Sequence, residues 1–155
     1  MTPIVVDTGV LVKVFIEEDD SPKAVALFSA AVEGIYRLSA PDFMAMEYGN
    51  VLWKYVQRGL LGEQEARRNL DQFPFDRVEW LPGRMLLSDA FRFAIQYAIA
   101  VYDGAFLAAA ERLAVQFVTA DEALHRKVSP RLPWVRLLRE FEAGSAPGAD
   151  PPEAQ

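Results

Sequence analysis

Short apolar runs rich in β-branched residues alternate along this chain with segments whose apolar residues recur at helical spacing. Ile4 to Val6 is one such run, and a helical pattern begins at the Asp7-Thr8-Gly9 turn that follows it. The strand candidates are residues 4–6, 36–39, 77–81, 115–119 and 134–137. Because strands that alternate with helices form parallel sheets covered on both faces, the sequence predicts an α/β fold with a five-stranded parallel sheet flanked by helices.

The predicted helices are bounded by common start and stop signals. One helix is predicted to start with Ser21 as its N-cap, since a proline follows in the first turn. A long helix is predicted from Pro41 to about Arg58, and another is predicted to begin near Ser88, after a Pro-Gly turn.

The length and composition suit one globular domain. The chain has 155 residues, of which 52% are hydrophobic, and this is enough for a well-populated core. From residue 143 onward the sequence is rich in Gly, Pro and Ala, so we predict one folded domain at 1–142 and a flexible tail at 143–155. No apolar run reaches the roughly 18 residues that a bilayer span needs. We therefore expect a soluble, cytoplasmic protein without a membrane association.

The residue types present limit the possible chemistry. Cysteine is absent and His125 is the only histidine, so a catalytic metal would be held by oxygen ligands. The formal net charge of −6 at first argues against a nucleic-acid substrate. Two of these charges, Asp150 and Glu153, belong to the predicted tail, and four more belong to the carboxylates considered next. The rest of the domain is neutral, so charge does not exclude RNA.

Asp7 and Asp121 each follow a predicted strand and precede a predicted helix. In open α/β sheets the functional crevice lies outside the carboxyl ends of the strands, so both side chains are candidates for an active site. Aspartate is also a common helix N-cap at this position, and the sequence leaves both interpretations open for either residue alone.

Asp103 and Glu47 lie on predicted helices. Asp103 begins an Ala-rich helix, where a capping role is the commoner explanation for a single Asp. Glu47 follows Met44 by three residues and precedes Val51 by four, so helical spacing places it at the edge of an apolar face. A carboxylate partly withdrawn from water needs a partner, but a side chain that reaches solvent fits this position equally well.

Four carboxylates in one crevice would repel one another and raise one another's pKa unless a cation were bound. Hard oxygen ligands suit Mg²⁺ or Mn²⁺, which bind a few carboxylates together with waters and phosphate oxygens. Such an ion activates water and polarises a phosphoryl group. The four acids together therefore indicate metal-assisted hydrolysis of a phosphodiester bond.

Four ordered segments resemble the motifs of PIN-domain nucleases, and most of all those of the small VapC-type toxins. They are residues 5–8, 41–50, 102–108 and 118–121. The resemblance extends over about residues 4–138. It implies a PIN-like five-stranded parallel sheet, a Mg²⁺- or Mn²⁺-dependent endoribonuclease that hydrolyses RNA, a homodimer, and inhibition by a small antitoxin protein.

The resemblance also implies roles for individual residues. Four acids would hold the metal or orient the attacking water: Asp7, Glu47, Asp103 and Asp121. Three polar residues would support them: Thr119, Asn50 and Thr8. The chain departs from the family pattern at Gly9, where Ser or Asn is common, and at Phe106, where Tyr is frequent.

Other functions stay open at this point. A phosphorylatable receiver domain also uses strand-end Asp residues with Mg²⁺, but it would have an acidic pair after the first strand, where this chain has Asp7 alone. A housekeeping PIN nuclease and a non-catalytic PIN-fold binding module are the remaining alternatives. The best candidates for phosphate contacts, each also explained as part of a solvated charged face, are Lys54, Arg58, Arg126 and Lys127.

Overall fold

The computed structural model describes residues 1–144, so most of the predicted tail, residues 145–155, lies outside the described residues. Within residues 1–144 the strands are β1 (Thr2–Val6), β2 (Tyr36–Pro41), β3 (Val78–Leu81), β4 (Phe117–Thr119) and β5 (Val135–Leu137). The α-helices are α1 (Thr8–Phe15), α2 (Ser21–Val32), α3 (Met44–Gln57), α4 (Glu63–Gln72), α5 (Gly83–Tyr97), α6 (Val101–Leu113) and α7 (Glu122–Val128). Two short 3₁₀ turns cover Phe75–Arg77 and Leu138–Glu140.

All five strands are parallel, and β1 lies at the centre of the sheet in the order β3-β2-β1-β4-β5. Val5 of β1 is paired with Ser39 of β2 on one side and with Phe117 of β4 on the other. The last three residues of β1 are buried, as expected for a central strand with helices on both faces. The predicted α/β fold is thus confirmed. The strand order also places Asp7 and Asp121, which follow β1 and β4, at neighbouring positions on one edge of the sheet.

Helices α5 and α6 cross with their backbones in contact. A Cβ atom on Gly104 of α6 would lie 2.3 Å from the carbonyl oxygen of Ala90 on α5, so any larger residue would force the helices apart. Helix α6 is buried from Gly104 to Ala110 and packs against β1 and β2. Glycine therefore permits a close helix crossing directly after Asp103.

Two helices begin at residues other than the predicted ones. Ser21 is the first residue of α2 and not its N-cap, which is Asp20. The Ser21 hydroxyl instead accepts a hydrogen bond of 2.9 Å from a backbone N–H in the preceding loop. Helix α3 begins at Met44 and not at Pro41, because Pro41 is the last residue of β2 and is still paired with β3.

Helix α5 also begins earlier than predicted, at Gly83 and not near Ser88. The Gly83 N–H donates a hydrogen bond of 3.0 Å to the Asp42 Oδ1 atom, which lies just beyond β2. A residue 41 positions away in the sequence thus satisfies one of the free N–H groups of this helix start. The sequence around Gly83 does not indicate this contact with Asp42.

The structure bears on the membrane and tail predictions in two places. No single helix within residues 1–144 is long and apolar enough to cross a membrane, and α5 and α6 reach that length only as a pair bent by 115°. Near the predicted domain boundary, the Gly144 N–H donates a hydrogen bond of 2.9 Å to the Tyr36 hydroxyl. The division at residues 142 and 143 stays a prediction.

Candidate active site

A cleft of about 390 Å³ opens at the carboxyl ends of β1 and β4. The four acids predicted from the sequence all line it, although they come from different elements of the fold. The full lining consists of Asp7, Thr8, Gly9, Lys13, Glu18, Glu47, Val51, Asp103, Phe106, Ala120 and Asp121. The fold thus brings together acids that are separated by up to about a hundred residues of sequence.

The fully buried Thr119 side chain connects the acids that follow β1 and β4. Its hydroxyl donates a hydrogen bond to Asp7 Oδ2 and accepts one of 3.0 Å from the Asp121 backbone N–H. One hydroxyl group therefore fixes the spacing between the two strand ends. The role of Thr119 in supporting an active site stays a prediction from the sequence resemblance.

Asp7 and Asp121 both act as helix N-caps while they line the cleft. Asp7 Oδ1 accepts a hydrogen bond of 3.0 Å from the Val10 N–H, and Asp121 Oδ1 accepts one of 3.0 Å from the Leu124 N–H. The capping and active-site interpretations are therefore compatible for these two residues. For Asp103 the capping interpretation is wrong, because α6 begins at Val101 and Asp103 lies within its first turn.

Glu47 is half-buried in the first turn of α3. Its Oε1 atom is buried and has no hydrogen-bond partner among the described residues. Burial, assisted by the negative charges of Asp103 and Asp7, raises the pKa of Glu47 to about 7, while the nearby Thr8 hydroxyl acts in the opposite direction. Glu47 and Thr8 form no hydrogen bond of ordinary geometry, since the Thr8 hydroxyl is buried and has no partner in the described part of the chain.

Burial also raises the pKa of two of the aspartates. It raises the pKa of Asp7 to about 6, while hydrogen bonds from Thr119 and two backbone N–H groups partly oppose the shift. It raises the pKa of Asp103 as well, assisted by the negative charge of Asp121 and opposed by Lys127. The charged forms of these acids are therefore destabilised in the cleft, and a bound cation would stabilise them.

The donor set fits a hard divalent cation. The four acids offer only oxygen ligands, and Glu47 Oε1 is a buried acceptor with no donor among residues 1–144. Within the described part of the chain, no three acidic or histidine side chains stand close enough together to hold one ion by themselves. Mg²⁺ commonly binds to one or two carboxylates and keeps several waters, so this spacing suits it.

The cleft includes an ion pair that the sequence analysis missed. Lys13 Nζ lies 3.1 Å from Glu18 Oε2, and the Tyr55 hydroxyl donates a hydrogen bond to Glu18 Oε1. This hydrogen bond raises the pKa of Tyr55 to about 12, so Tyr55 remains a donor at neutral pH. Helical spacing could have indicated Lys13 as a cleft residue, because Lys13 lies four residues after Gly9 and therefore on the same face of α1.

The supporting residues differ in how they relate to the cleft. Thr8 lines it, but Asn50 is exposed and is not part of the lining. The two departures from the family pattern have physical reasons. A Cβ on Gly9 would lie only 3.3 Å from the Ala120 Cβ, and Phe106 is buried with its ring stacked on that of Phe117 at 5.8 Å.

The chain belongs to the PIN domain family, whose model matches residues 4–129. It is 33% identical over 126 residues to Ribonuclease VapC3 of Pyrobaculum aerophilum, a match that covers 80% of this chain and 93% of that protein. The resemblance to VapC-type members that the sequence motifs indicate is therefore confirmed.

Solved structures share the fold at lower sequence identity. A Pyrobaculum aerophilum protein of known crystal structure is 20% identical with a TM-score of 0.66, and the match covers 89% of this chain and 92% of that chain. VapBC2 from Rickettsia felis, bound to a DNA fragment from its promoter, gives 15% identity and a TM-score of 0.57, with 88% and 97% covered. A toxin–antitoxin complex from Klebsiella pneumoniae gives 15% identity and a TM-score of 0.57, with 89% and 99% covered. These likenesses show the PIN-like fold.

Proposed function

We propose that this protein is a Mg²⁺- or Mn²⁺-dependent endoribonuclease and the toxin of a toxin–antitoxin pair, acting in the cytoplasm. The observation that carries the proposal is the convergence of four carboxylates on one cleft, in which the buried Glu47 Oε1 has no partner among residues 1–144. The likeness to Ribonuclease VapC3 supports RNA as the substrate and a toxin role.

A bound divalent cation would polarise the phosphoryl group and stabilise the leaving oxygen. We assign Asp7, Glu47, Asp103 and Asp121 to the metal site. Because no three of them in the described chain stand close enough to hold one ion by themselves, some would bind it through metal-bound waters. Asp7 is oriented in advance, because Val10 N–H and Thr119 occupy one carboxylate oxygen each. This fixed orientation reduces the entropy lost when the substrate is positioned.

We assign Glu47 Oε1 to accept the proton of the attacking water. The atom has no competing donor in the described chain, and a pKa of about 7 suits proton transfer near neutral pH. The water oxygen forms a bond to phosphorus while the phosphorus–oxygen bond to one ribose breaks. The leaving ribose oxygen takes up a proton from solvent, so one fragment carries the phosphate and the other carries a hydroxyl.

The test compares Asp103→Asn with Asp71→Asn, which makes the same chemical change at an exposed position on α4. A labelled single-stranded RNA reports cleavage in Mg²⁺, in Mn²⁺ and in EDTA, and circular dichroism reports folding. We expect Asp103→Asn to lose at least about a hundredfold in rate while it stays folded, and Asp71→Asn to cleave like the wild type. Equal cleavage by the two variants would contradict the proposed site, and binding without cleavage by the wild type would favour a PIN-fold binding module.

We further propose that the protein is a homodimer that pairs through α5. Leu87, Phe91 and Ile95 form an apolar stripe of four-residue spacing, and they are 58%, 57% and 71% exposed. The stripe is symmetric about Phe91, so two antiparallel copies of α5 would match Leu87 of each with Ile95 of the other. A two-fold axis through Phe91 produces this self-complementary contact.

Sedimentation of Phe91→Asp and Leu70→Asp tests the dimer. Leu70 is an exposed leucine on α4, outside the stripe, and serves as the control. We expect Phe91→Asp to sediment as a monomer and Leu70→Asp to remain a dimer. A wild-type monomer, or a dimer that survives Phe91→Asp, would contradict this surface.

We also propose that a small antitoxin protein inhibits the cleft. Its acidic lining would attract a basic segment of the partner. A hydrophobic helix of the same partner would dock on the exposed Trp53 of α3 and Leu60 of the following turn, both more than half exposed. The fold shared with a protein of a solved toxin–antitoxin complex supports a partner of this kind.

Co-expression with the adjoining reading frame, followed by size-exclusion chromatography and the RNA assay, tests this partner. We expect Trp53→Asp to lose the partner and keep the dimer, and Phe91→Asp to lose the dimer and keep the partner. A partner that binds without affecting cleavage would contradict inhibition at the cleft. The absence of any partner would favour a housekeeping nuclease.

A further inference from the structure

Lys13 provides a positive charge in a cleft that is otherwise acidic. Five acids line the cleft, namely Asp7, Glu18, Glu47, Asp103 and Asp121, and Lys13 is the only cation among the described lining residues. The Lys13 side chain is only 14% exposed. An ammonium group in this place affects any anion that enters the cleft.

Glu18 determines where the Lys13 ammonium lies. Glu18 Oε2 is 3.1 Å from Lys13 Nζ, and Glu18 Oε1 accepts the hydrogen bond of the Tyr55 hydroxyl. Both carboxylate oxygens are therefore engaged, and α3 anchors Glu18 through Tyr55. The ammonium has three N–H donors, and Glu18 is its only hydrogen-bond partner in residues 1–144. At least one donor thus remains for a ligand.

A role in stability alone does not explain this arrangement. An ion pair that is mostly removed from water gains little net stability, because desolvation offsets the attraction between the charges. The position of the pair has a clearer consequence for the cleft. An RNA phosphate that approaches five acids is repelled, and a fixed ammonium at the wall reduces that repulsion and offers a charge-assisted hydrogen bond.

We propose that Lys13 is an RNA phosphate-binding residue of the cleft, and that Glu18 and Tyr55 position it by holding its ammonium in the ion pair at the cleft wall. The proposal rests on the proposed ribonuclease function. Lys13 binds a non-bridging oxygen of a substrate phosphate, so it contributes to RNA affinity. Glu18 and Tyr55 are positioning residues, since they act through Lys13.

Binding measurements separate this role from catalysis. Lys13→Met and the control Lys23→Met are each made in the Asp103→Asn background, where RNA is bound without being cut. Lys23 is also ion-paired, to Glu142, but it lies on α2 and is not part of the cleft lining. The probe is a labelled single-stranded RNA of mixed sequence in Mg²⁺, titrated at several salt concentrations.

We expect Lys13→Met to weaken RNA binding about tenfold and to reduce the salt dependence by the equivalent of about one phosphate contact. Lys23→Met should change neither quantity. In the otherwise wild-type protein, Lys13→Arg should retain most of the RNA affinity, and Tyr55→Phe should raise KM more than it lowers kcat. Lys13→Gln is measured in parallel, so that a folding defect of the Met variant does not decide the result.

Two outcomes would overturn the phosphate-binding role of Lys13, and a third would support it while the ribonuclease function fails. If the Lys13 variants melt at lower temperature but bind RNA with unchanged affinity and salt dependence, the ion pair is only a structural contact. If the wild type cleaves RNA and Lys13→Met binds it normally, the phosphate-binding role fails while the ribonuclease function stands. If the wild type does not cleave RNA but Lys13→Met weakens binding as expected, the ribonuclease function fails and the phosphate site stands.

Discussion

The acidic cleft and the crossing of α5 with α6 adjoin at two consecutive residues, Asp103 and Gly104. Repulsion between charges dominates in the cleft, whereas close packing of the backbone dominates at the crossing. On the cleft side, Asp103 lies among acids whose burial and mutual repulsion disfavour their charged forms. On the other side, Gly104 brings the α6 backbone against Ala90 so closely that no side chain fits between the helices. This fold therefore holds a locally unfavourable cluster of charges on a closely packed pair of helices.

The largest effect on stability should come from disrupting the crossing of α5 and α6. Gly104→Ala would place a Cβ 2.3 Å from Ala90 O, so we expect the free energy of unfolding to fall by at least about 3 kcal/mol. The control is Gly49→Ala in α3, where a Cβ meets nothing within 4 Å and the better helix propensity should add up to about 1 kcal/mol. Urea denaturation measures both. Similar stability changes for the two variants would contradict the close crossing.

A smaller but still large effect should come from neutralising the cleft. At about a hundred times its Kd, a bound metal adds about 2.7 kcal/mol to stability, so millimolar Mn²⁺ should raise the Tm by roughly 5–10 °C relative to EDTA. Asp121→Asn should reduce this shift, whereas Asp71→Asn should not. Identical melting of the wild type in Mn²⁺ and in EDTA would rule out a metal site in the cleft.

Glu47→Gln should raise the Tm of the metal-free protein by a few degrees and at the same time lower its rate of RNA cleavage. Burial raises the pKa of Glu47 from 4.5 to about 7, so the folded state binds this proton more tightly than the unfolded state. The stability of the metal-free protein therefore falls as pH rises from about 4.5 to about 7, and Gln removes that contribution.

In EDTA at pH 8, we expect Glu47→Gln to melt about 2–5 °C above the wild type and the difference to vanish near pH 4.5. The same variant should cleave RNA poorly, because it lacks the acceptor assigned to the water proton. Thermal melts across this pH range provide the measurement. A Tm difference that is the same at pH 4.5 and pH 8 would show that Glu47 carries no raised pKa.

The smallest effect on stability concerns the C-terminal end of α6, which belongs to the closely packed helix pair. Ala114 ends α6 with a left-handed φ of 54°, a conformation that costs an alanine more than a glycine. Ala114→Gly should therefore stabilise the protein by roughly 0.5–1 kcal/mol and leave RNA cleavage unchanged. A loss of stability would show that the alanine side chain contributes packing that outweighs the strain.

The sequence predicts the acids of the cleft well, because Asp7 and Asp121 carry a local pattern of strand, turn and helix. For Glu47 the helical spacing leaves a solvent-facing side chain equally open, and the resemblance to PIN-domain nucleases is what assigns it to the site. The start of α5 at Gly83 is not predictable in this way, since its capping contact comes from Asp42 on another part of the chain.

Lys13 and Glu18 were missed for a related reason. Each is an ordinary charged residue in its local sequence, one near the end of α1 and the other in the loop that follows. Only the folded chain brings Tyr55 of α3 to Glu18, 37 residues away, and turns the ion pair toward the cleft. Contacts of this kind depend on tertiary packing, which local periodicity does not encode.

The Thr119 hydroxyl has a consequence for the protein during its synthesis. It joins Asp7 to the Asp121 loop across 112 residues of sequence. A nascent chain that has left the ribosome only as far as α6 already carries Asp7, Glu47 and Asp103, but it lacks the bridge that sets their spacing to the fourth acid. We therefore expect the cleft to be incomplete in such chains until β4 has paired with β1.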